Sequence, residues 1–132
     1  MNAESEFRAP TNSERALLAR LLDADFPGKD GLAPLLREIL VKTIDEDGGL
    51  ALQTQVEGKA LVVQRVPVEA EGKDEDGVTI HMALHVVDGK PVELEFYRED
   101  PETVRRLPPA SAFELIVLPP APENGWPDYG PR

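Results

Sequence analysis

Apolar residues recur at two different periods along this chain. Up to residue 40 they fall three and four apart: Leu17, Leu18, Leu21 and Leu22, then Leu32, Leu35, Leu36, Ile39 and Leu40. That spacing places each set on one stripe of a helix, and such stripes face a core. The first helix is predicted over about residues 12–24. Thr11 followed by Glu14 has the capping-box pattern, in which hydroxyl and carboxylate each take one of the first free backbone amides. Pro27-Gly28 ends it. The second helix is predicted over about 31–40, with Pro34 in its first turn, where no amide donor is missed.

From Val41 the period becomes two. VKTID and LALQT flank DEDGG, LVVQRVPVEA runs into EGKDEDG, and VTIHMALHVV and VELEFYR flank DG. AFELIVL at 112–118 is a further strand, preceded by a loop, PETVRRLPPAS, with one helical turn in it. Strands separated by acidic-glycine turns make an antiparallel meander. The fold class is therefore α+β, with two N-terminal helices packed on a four- to five-stranded antiparallel β-meander. Residues 1–10 are a flexible N-terminus, 11–118 form one domain, and 119–132, with five prolines in fourteen residues, are a Pro-rich tail.

Composition narrows the function. Of the 132 residues, 36 are Leu, Ile, Val or Phe, enough for one real core. The 25 acidic and 14 basic side chains leave a net charge of −11. Phosphate backbones and anionic lipid repel such a chain, and a basic protein attracts it. With seven aromatics and no basic stripe, neither nucleic acid nor membrane is expected as a partner. The absence of cysteine excludes disulfides, zinc thiolates and thiol catalysis. No signal-peptide pattern and no membrane-length apolar run is present, so a cytoplasmic location is expected.

The tetrapeptide DEDG occurs at 45–48 and at 74–77. As EF-hand loops both fail, because the closing carboxylate at position twelve would be Thr54 or Ala83. Asp and Gly instead supply the conformations that hairpin turns require.

The segment HMALH carries His81 and His85. Side by side on a helix they would make a metal pair. On a strand they lie about 13 Å apart, too far for one ion. The alternation of Val78, Ile80, Met82, Leu84 and Val86 makes this a strand, so no metal is expected, and no cofactor. Both apolar sets of the hairpin share a face only if paired residue numbers sum to an even value. A three-residue loop, Val87-Asp88-Gly89, achieves this and sets His81 opposite Glu95. The outer face then presents His81, His85, Glu93, Glu95 and Tyr97. Nucleophile and phosphate-binding motifs are absent.

The order of a capped leucine helix, FPG, a second leucine helix, TIDEDG, VPVEAEG, and an IHxxLHVVDG…ELEFYRED hairpin resembles a family of small actinobacterial and proteobacterial proteins of unknown function. The likeness spans about residues 11–100. It implies no catalytic residues. Some members of such families look like immunity partners of secreted toxins.

Together these features predict a soluble acidic protein-binding module, of the immunity (antitoxin) type, that recognises a basic protein partner. The candidate binding residues are His81, His85, Glu93, Glu95 and Tyr97 on the sheet, with Asp45, Asp47, Asp74 and Asp76 at the turns. A small hydrolase or isomerase using the His81/His85/Glu93/Glu95/Tyr97 face is the alternative. A homodimer formed through a sheet edge or face is the third arrangement.

Overall fold

The computed structural model describes residues 6–62 and 64–117. Two helices cover one face of a six-stranded antiparallel sheet, so the α+β architecture is as expected, with one strand more. The expected Pro-rich tail lies outside the described residues, apart from its approach at Val117.

Helix α1 runs over Asn12–Leu21, with Thr11 and Glu14 forming the reciprocal capping box. The chain then tightens. The amides of Asp23 and Ala24 reach back three residues, to Arg20 and Leu21, which carries the turn as far as Ala24. Helix α2 runs over Lys29–Arg37, starting directly after Gly28 in the left-handed conformation. Pro34 is therefore not in the first turn. It is the sixth helical residue, and the donor it lacks is one that Asp30 would have accepted. The helix also ends early, because Ile39 and Leu40 are taken into the first strand. Tertiary pairing overrides the helical spacing there.

The strands are β1 (Ile39–Thr43), β2 (Leu50–Thr54), β3 (Val68–Lys73), β4 (Thr79–Val87), β5 (Lys90–Arg98) and β6 (Glu114–Ile116). Their order in the sheet is β1-β2-β5-β4-β3-β6. Only β3-β4-β5 is a sequential meander. The β1-β2 hairpin joins it through β2 and β5, and β6 closes the β3 edge. The other edge, β1, is covered in part by the N-terminus, where Arg8 and Val41 exchange both backbone hydrogen bonds at 2.8 Å. The Arg8 guanidinium also forks onto Glu14, at 2.7 and 2.9 Å. Residues 6–10 are thus held against the sheet edge.

Inward-facing Val41, Leu50, Val68, Ile80, Met82, Leu84, Leu94 and Phe96 meet Leu17, Leu18 and Leu21 of α1 and Leu32 and Leu36 of α2 in one core. Each fully buried aliphatic side chain of this kind contributes about 1.5–3 kcal/mol. No helix among the described residues is long and apolar enough to cross a membrane.

The predicted strand LVVQRVPVEA begins seven residues late, at Val68. The stretch before it folds over the tip of the β4–β5 hairpin instead. Ala60 donates its amide to the Gly89 carbonyl, and Arg65 accepts the amide of Val86. That hairpin corrects the expected loop. Asp88 (φ 52°) and Gly89 (φ 72°) form a two-residue turn with both residues left-handed. Even parity is restored by a bulge at His85/Val86, beyond which the paired numbers sum to 178. His81 consequently faces Tyr97 rather than Glu95, and His85 faces Glu93.

Two left-handed glycines separate backbone strain from crowding. At Gly77 (φ +88°) an added Cβ meets nothing within 4 Å, whereas at Gly89 it would lie 2.4 Å from the Ala60 carbonyl oxygen. Gly77→Ala is expected to cost only the left-handed penalty of about 1–2 kcal/mol. Gly89→Ala should cost more, because it also expels Ala60. Urea denaturation of the two variants checks this, and equal losses would show that the Ala60 contact contributes nothing.

Candidate functional site

Two regions hold the charged residues singled out by the sequence. The first is the end of the sheet where the β1–β2 turn, the β3–β4 turn and the C-terminus of β5 come together. Inward-facing positions on β5 are Leu94, Phe96 and then Arg98, so alternation drives an arginine toward the core. Its side chain is 1% exposed. All five of its N–H donors are used. Nε and one Nη2 bond reach Asp100 at 2.8 and 2.6 Å, Nη1 and Nη2 fork onto Asp76 at 3.0 and 2.9 Å, and Nη1 reaches Asp74 at 2.9 Å. Two of these carboxylates belong to the second DEDG.

Asp74 is as deeply buried as its partner. Besides Arg98 it accepts the amides of Glu75, Arg105 and Arg106, at 2.7, 2.7 and 2.9 Å. The first DEDG acts in the same manner. Asp45 accepts the amides of Asp47 and Gly49 within its own turn, while Asp47 accepts the amide of Val104 at 2.7 Å. Three successive amides, 104–106, are therefore caught by carboxylates from two turns. Gly48 and Gly77 are left-handed, as the turn reading requires. The turn charges differ from the expectation in one respect: Asp74 is interior and its oxygens are fully engaged, so it is not a solvated charge.

Burial alone would raise the Asp74 carboxyl. The amides of Arg105 and Glu75, the Arg98 guanidinium and the amide of Arg106 outweigh it and hold the group well below the ordinary range. Hydrogen bonding to Arg98 likewise lowers Asp76 and brings Asp100 down to about 2. Asp100 and Asp76 in turn raise the guanidinium.

The second region is the sheet face turned away from the helices. Strand alternation places all five sheet residues named by the sequence there: His81 and His85 on β4, Glu93, Glu95 and Tyr97 on β5. His85 Nε2 lies 2.8 Å from Glu95 Oε1, and its Nδ1 accepts from Arg65 Nε at 3.1 Å. The His81 ring stacks on Tyr97, with centroids 4.8 Å apart and planes 19° from parallel. His81 and His85 make no common contact, as their strand spacing dictates. Residues not anticipated complete the face. Glu69 and Glu71 on β3 and Glu114 on β6 share its parity, and Glu99 follows β5. His81 lies 2.9 Å from Glu99 and 3.8 Å from Glu71. Burial, and then the charges of Glu69, Glu95, Glu71 and Glu99, raise the pKa of the Tyr97 phenol. The signal for β3 was present in VEAEG, whose glutamates alternate with Val68 and Ala70.

Residues 7–108 match a domain of unknown function, DUF6984. The chain belongs to this family. No curated protein and no solved structure gives a significant match. The DUF6984 span contains both acidic turns, the Arg98 cluster and the first five strands. It ends inside the captured loop, so β6 lies beyond the family's extent. Within the DUF6984 span the acidic part of the open face comes from β3, β4 and β5, with Glu99 just beyond β5.

The Arg98 cluster makes two predictions. Arg98→Met leaves the buried Asp74 without its counter-charge, and the melting temperature is expected to fall by roughly 10–20 °C. Exposed Arg105→Met serves as control and should shift it little. For pH, the aspartates are ionised in the folded protein at values where the unfolded chain, with carboxyls near 3.9, begins to bind protons. Their stabilisation is present above about pH 4. It is lost as pH falls through about 2 for Asp100 and lower still for Asp74. Asp100→Asn should therefore flatten the stability–pH curve below pH 4 and leave its shape above pH 5 unchanged, as followed by urea midpoints.

Proposed function

We propose that this protein is a soluble, cytoplasmic protein-binding module. Its open sheet face receives a basic protein partner, in the manner of an immunity protein that masks a cationic toxin. The observation that carries this reading is the concentration of charge on that face. Glu69, Glu71, Glu93, Glu95, Glu99 and Glu114 project from it, and they outnumber the cations that share it, Arg65 beside His85, Lys42 on β1 and Lys73 at the rim. Both helices are on the opposite side, so strands of fixed register space these carboxylates along the face. Such an array steers a cationic surface and fixes its orientation. Asp45, Asp47 and Asp76 add to the field from the sheet end, while Asp74 is engaged internally.

The binding reading is favoured over a hydrolase or isomerase at the same residues. Both imidazoles already face glutamate, and burial together with the surrounding carboxylates makes Tyr97 a weaker acid, not a stronger one.

Affinity capture from the native host, followed by association kinetics on the captured protein, tests the proposal. Glu93→Gln with Glu95→Gln should alter stability by less than ~1 kcal/mol. The double variant should slow association with a basic partner, and the wild-type rate should fall as salt rises, since steering is screened beyond ~8–10 Å. A partner whose association ignores both salt and these carboxylates overturns it. Turnover of a small molecule abolished by His81→Ala would support the enzyme instead.

A further inference from the structure

Glu71, His81 and Glu99 come from three adjacent segments of the sheet. Glu71 is the direct cross-strand partner of His81 on β3, and Glu99 follows β5 just beyond Tyr97, the direct partner on the other side. One ligand atom from each residue, an imidazole nitrogen and two carboxylate oxygens, lies within 4.8 Å of the others. Four-coordinate Zn2+, with bonds near 2.0–2.1 Å, holds its ligand atoms about 3.4 Å apart. Glu99 Oε1 lies 2.9 Å from Nε2 and Glu71 Oε1 3.8 Å from Nδ1, so closing the set on one ring nitrogen takes a rotation of at least one glutamate side chain along the edge of the ring. The Glu71 and Glu99 side chains are 42% and 57% exposed, and among the described residues His81 is their only side-chain partner, so both can turn. The imidazole need not move, because its stack on Tyr97 fixes the ring.

We propose that Glu71, His81 and Glu99 bind one first-row transition divalent cation, Zn2+ or Co2+, with water completing its coordination. A nitrogen donor with two carboxylates suits such an ion. Ca2+ requires six or more oxygens, and no thiolate is available for softer metals. Two carboxylates and a neutral imidazole balance the charge of the ion, and the nearby Glu69 and Glu95 add to its attraction. The earlier objection, that His81 and His85 are too far apart for one ion, does not apply, since the other ligands come from neighbouring strands. His85 is a natural contrast. Its Nδ1 accepts from Arg65, its Nε2 faces Glu95, and among the described residues it belongs to no group of three ligand residues. This inference stands apart from the partner reading and does not require it.

Titration of the full-length, tag-free protein with Co2+, followed by visible absorption, and with Zn2+, followed by calorimetry, tests it. One equivalent is expected to bind, with excess Ca2+ failing to compete. His81→Ala, and separately Glu71→Gln with Glu99→Gln, should weaken binding at least tenfold. His85→Ala should bind as the wild type does. Thermal melts establish that each variant is folded. Should His81→Ala not fold, the glutamine pair, at one half-buried and one exposed position, decides the matter. Absence of saturable binding below about 1 mM overturns the proposal. So does equal affinity in the glutamine pair, or loss of binding in His85→Ala.

Discussion

A guanidinium with five donors, enclosed by three carboxylates, governs the end of the sheet where three chain segments converge. Taking one arginine and its partners out of water is costly, and the geometry offsets that cost only because every donor finds an acceptor. Arg98 achieves this with Asp74, Asp76 and Asp100 together. A lysine at this position would lack the planar fork that meets two carboxylates at once. The same carboxylates then have oxygens to spare, and these fix the next segment through its backbone. Hence the cluster joins the β3–β4 turn, the end of β5 and the loop leading to β6 in a single network. It confers specificity of arrangement as much as stability, since no other register of β5 would carry the arginine to both aspartates of the turn.

Register is likewise the link between fold and surface chemistry. The two-residue turn at Asp88-Gly89 by itself would have put apolar residues opposite charged ones. The bulge inserts the extra residue that returns Leu94 and Phe96 to the core side. On the opposite side the same shift sets Tyr97 under His81 and brings Glu99 within reach of it. The acidic face is thus a by-product of the constraint that the core imposes on the hairpin.

Much of this was legible in the sequence where a local rule suffices. The capping box, both leucine stripes, the left-handed turn glycines and the outward set on β4 and β5 follow from period and turn chemistry alone. What escaped depends on pairing between distant segments. The start of β3 at Val68 is set by Ala60 and Arg65 docking on the hairpin. The order of the sheet rests on β2 choosing β5, which no local pattern reports. Glu71 and Glu99 could be placed beside His81 only once the neighbouring registers were known. Arg98 is the instructive case. Its place in the alternation after Leu94 and Phe96 marked it as inward, and an arginine at an inward position implies buried acceptors. The two aspartates of DEDG were the available pair.

The capture of amides 104–106 also has a kinetic meaning. Their acceptors, Asp47 and Asp74, are 57 and 31 residues or so distant along the chain, and neither is positioned until its own hairpin has formed. The loop after β5 has no apolar run of its own to collapse early. Its capture by the turns thus depends on long-range pairing. β6, which follows the loop, is held independently of it, because Phe113 at its approach is 1% exposed in the core and the Phe113 carbonyl accepts from the Arg20 guanidinium of α1. The cover over the β3 edge thus depends on a core side chain and not on the turn carboxylates, and it guards that edge against pairing with another chain.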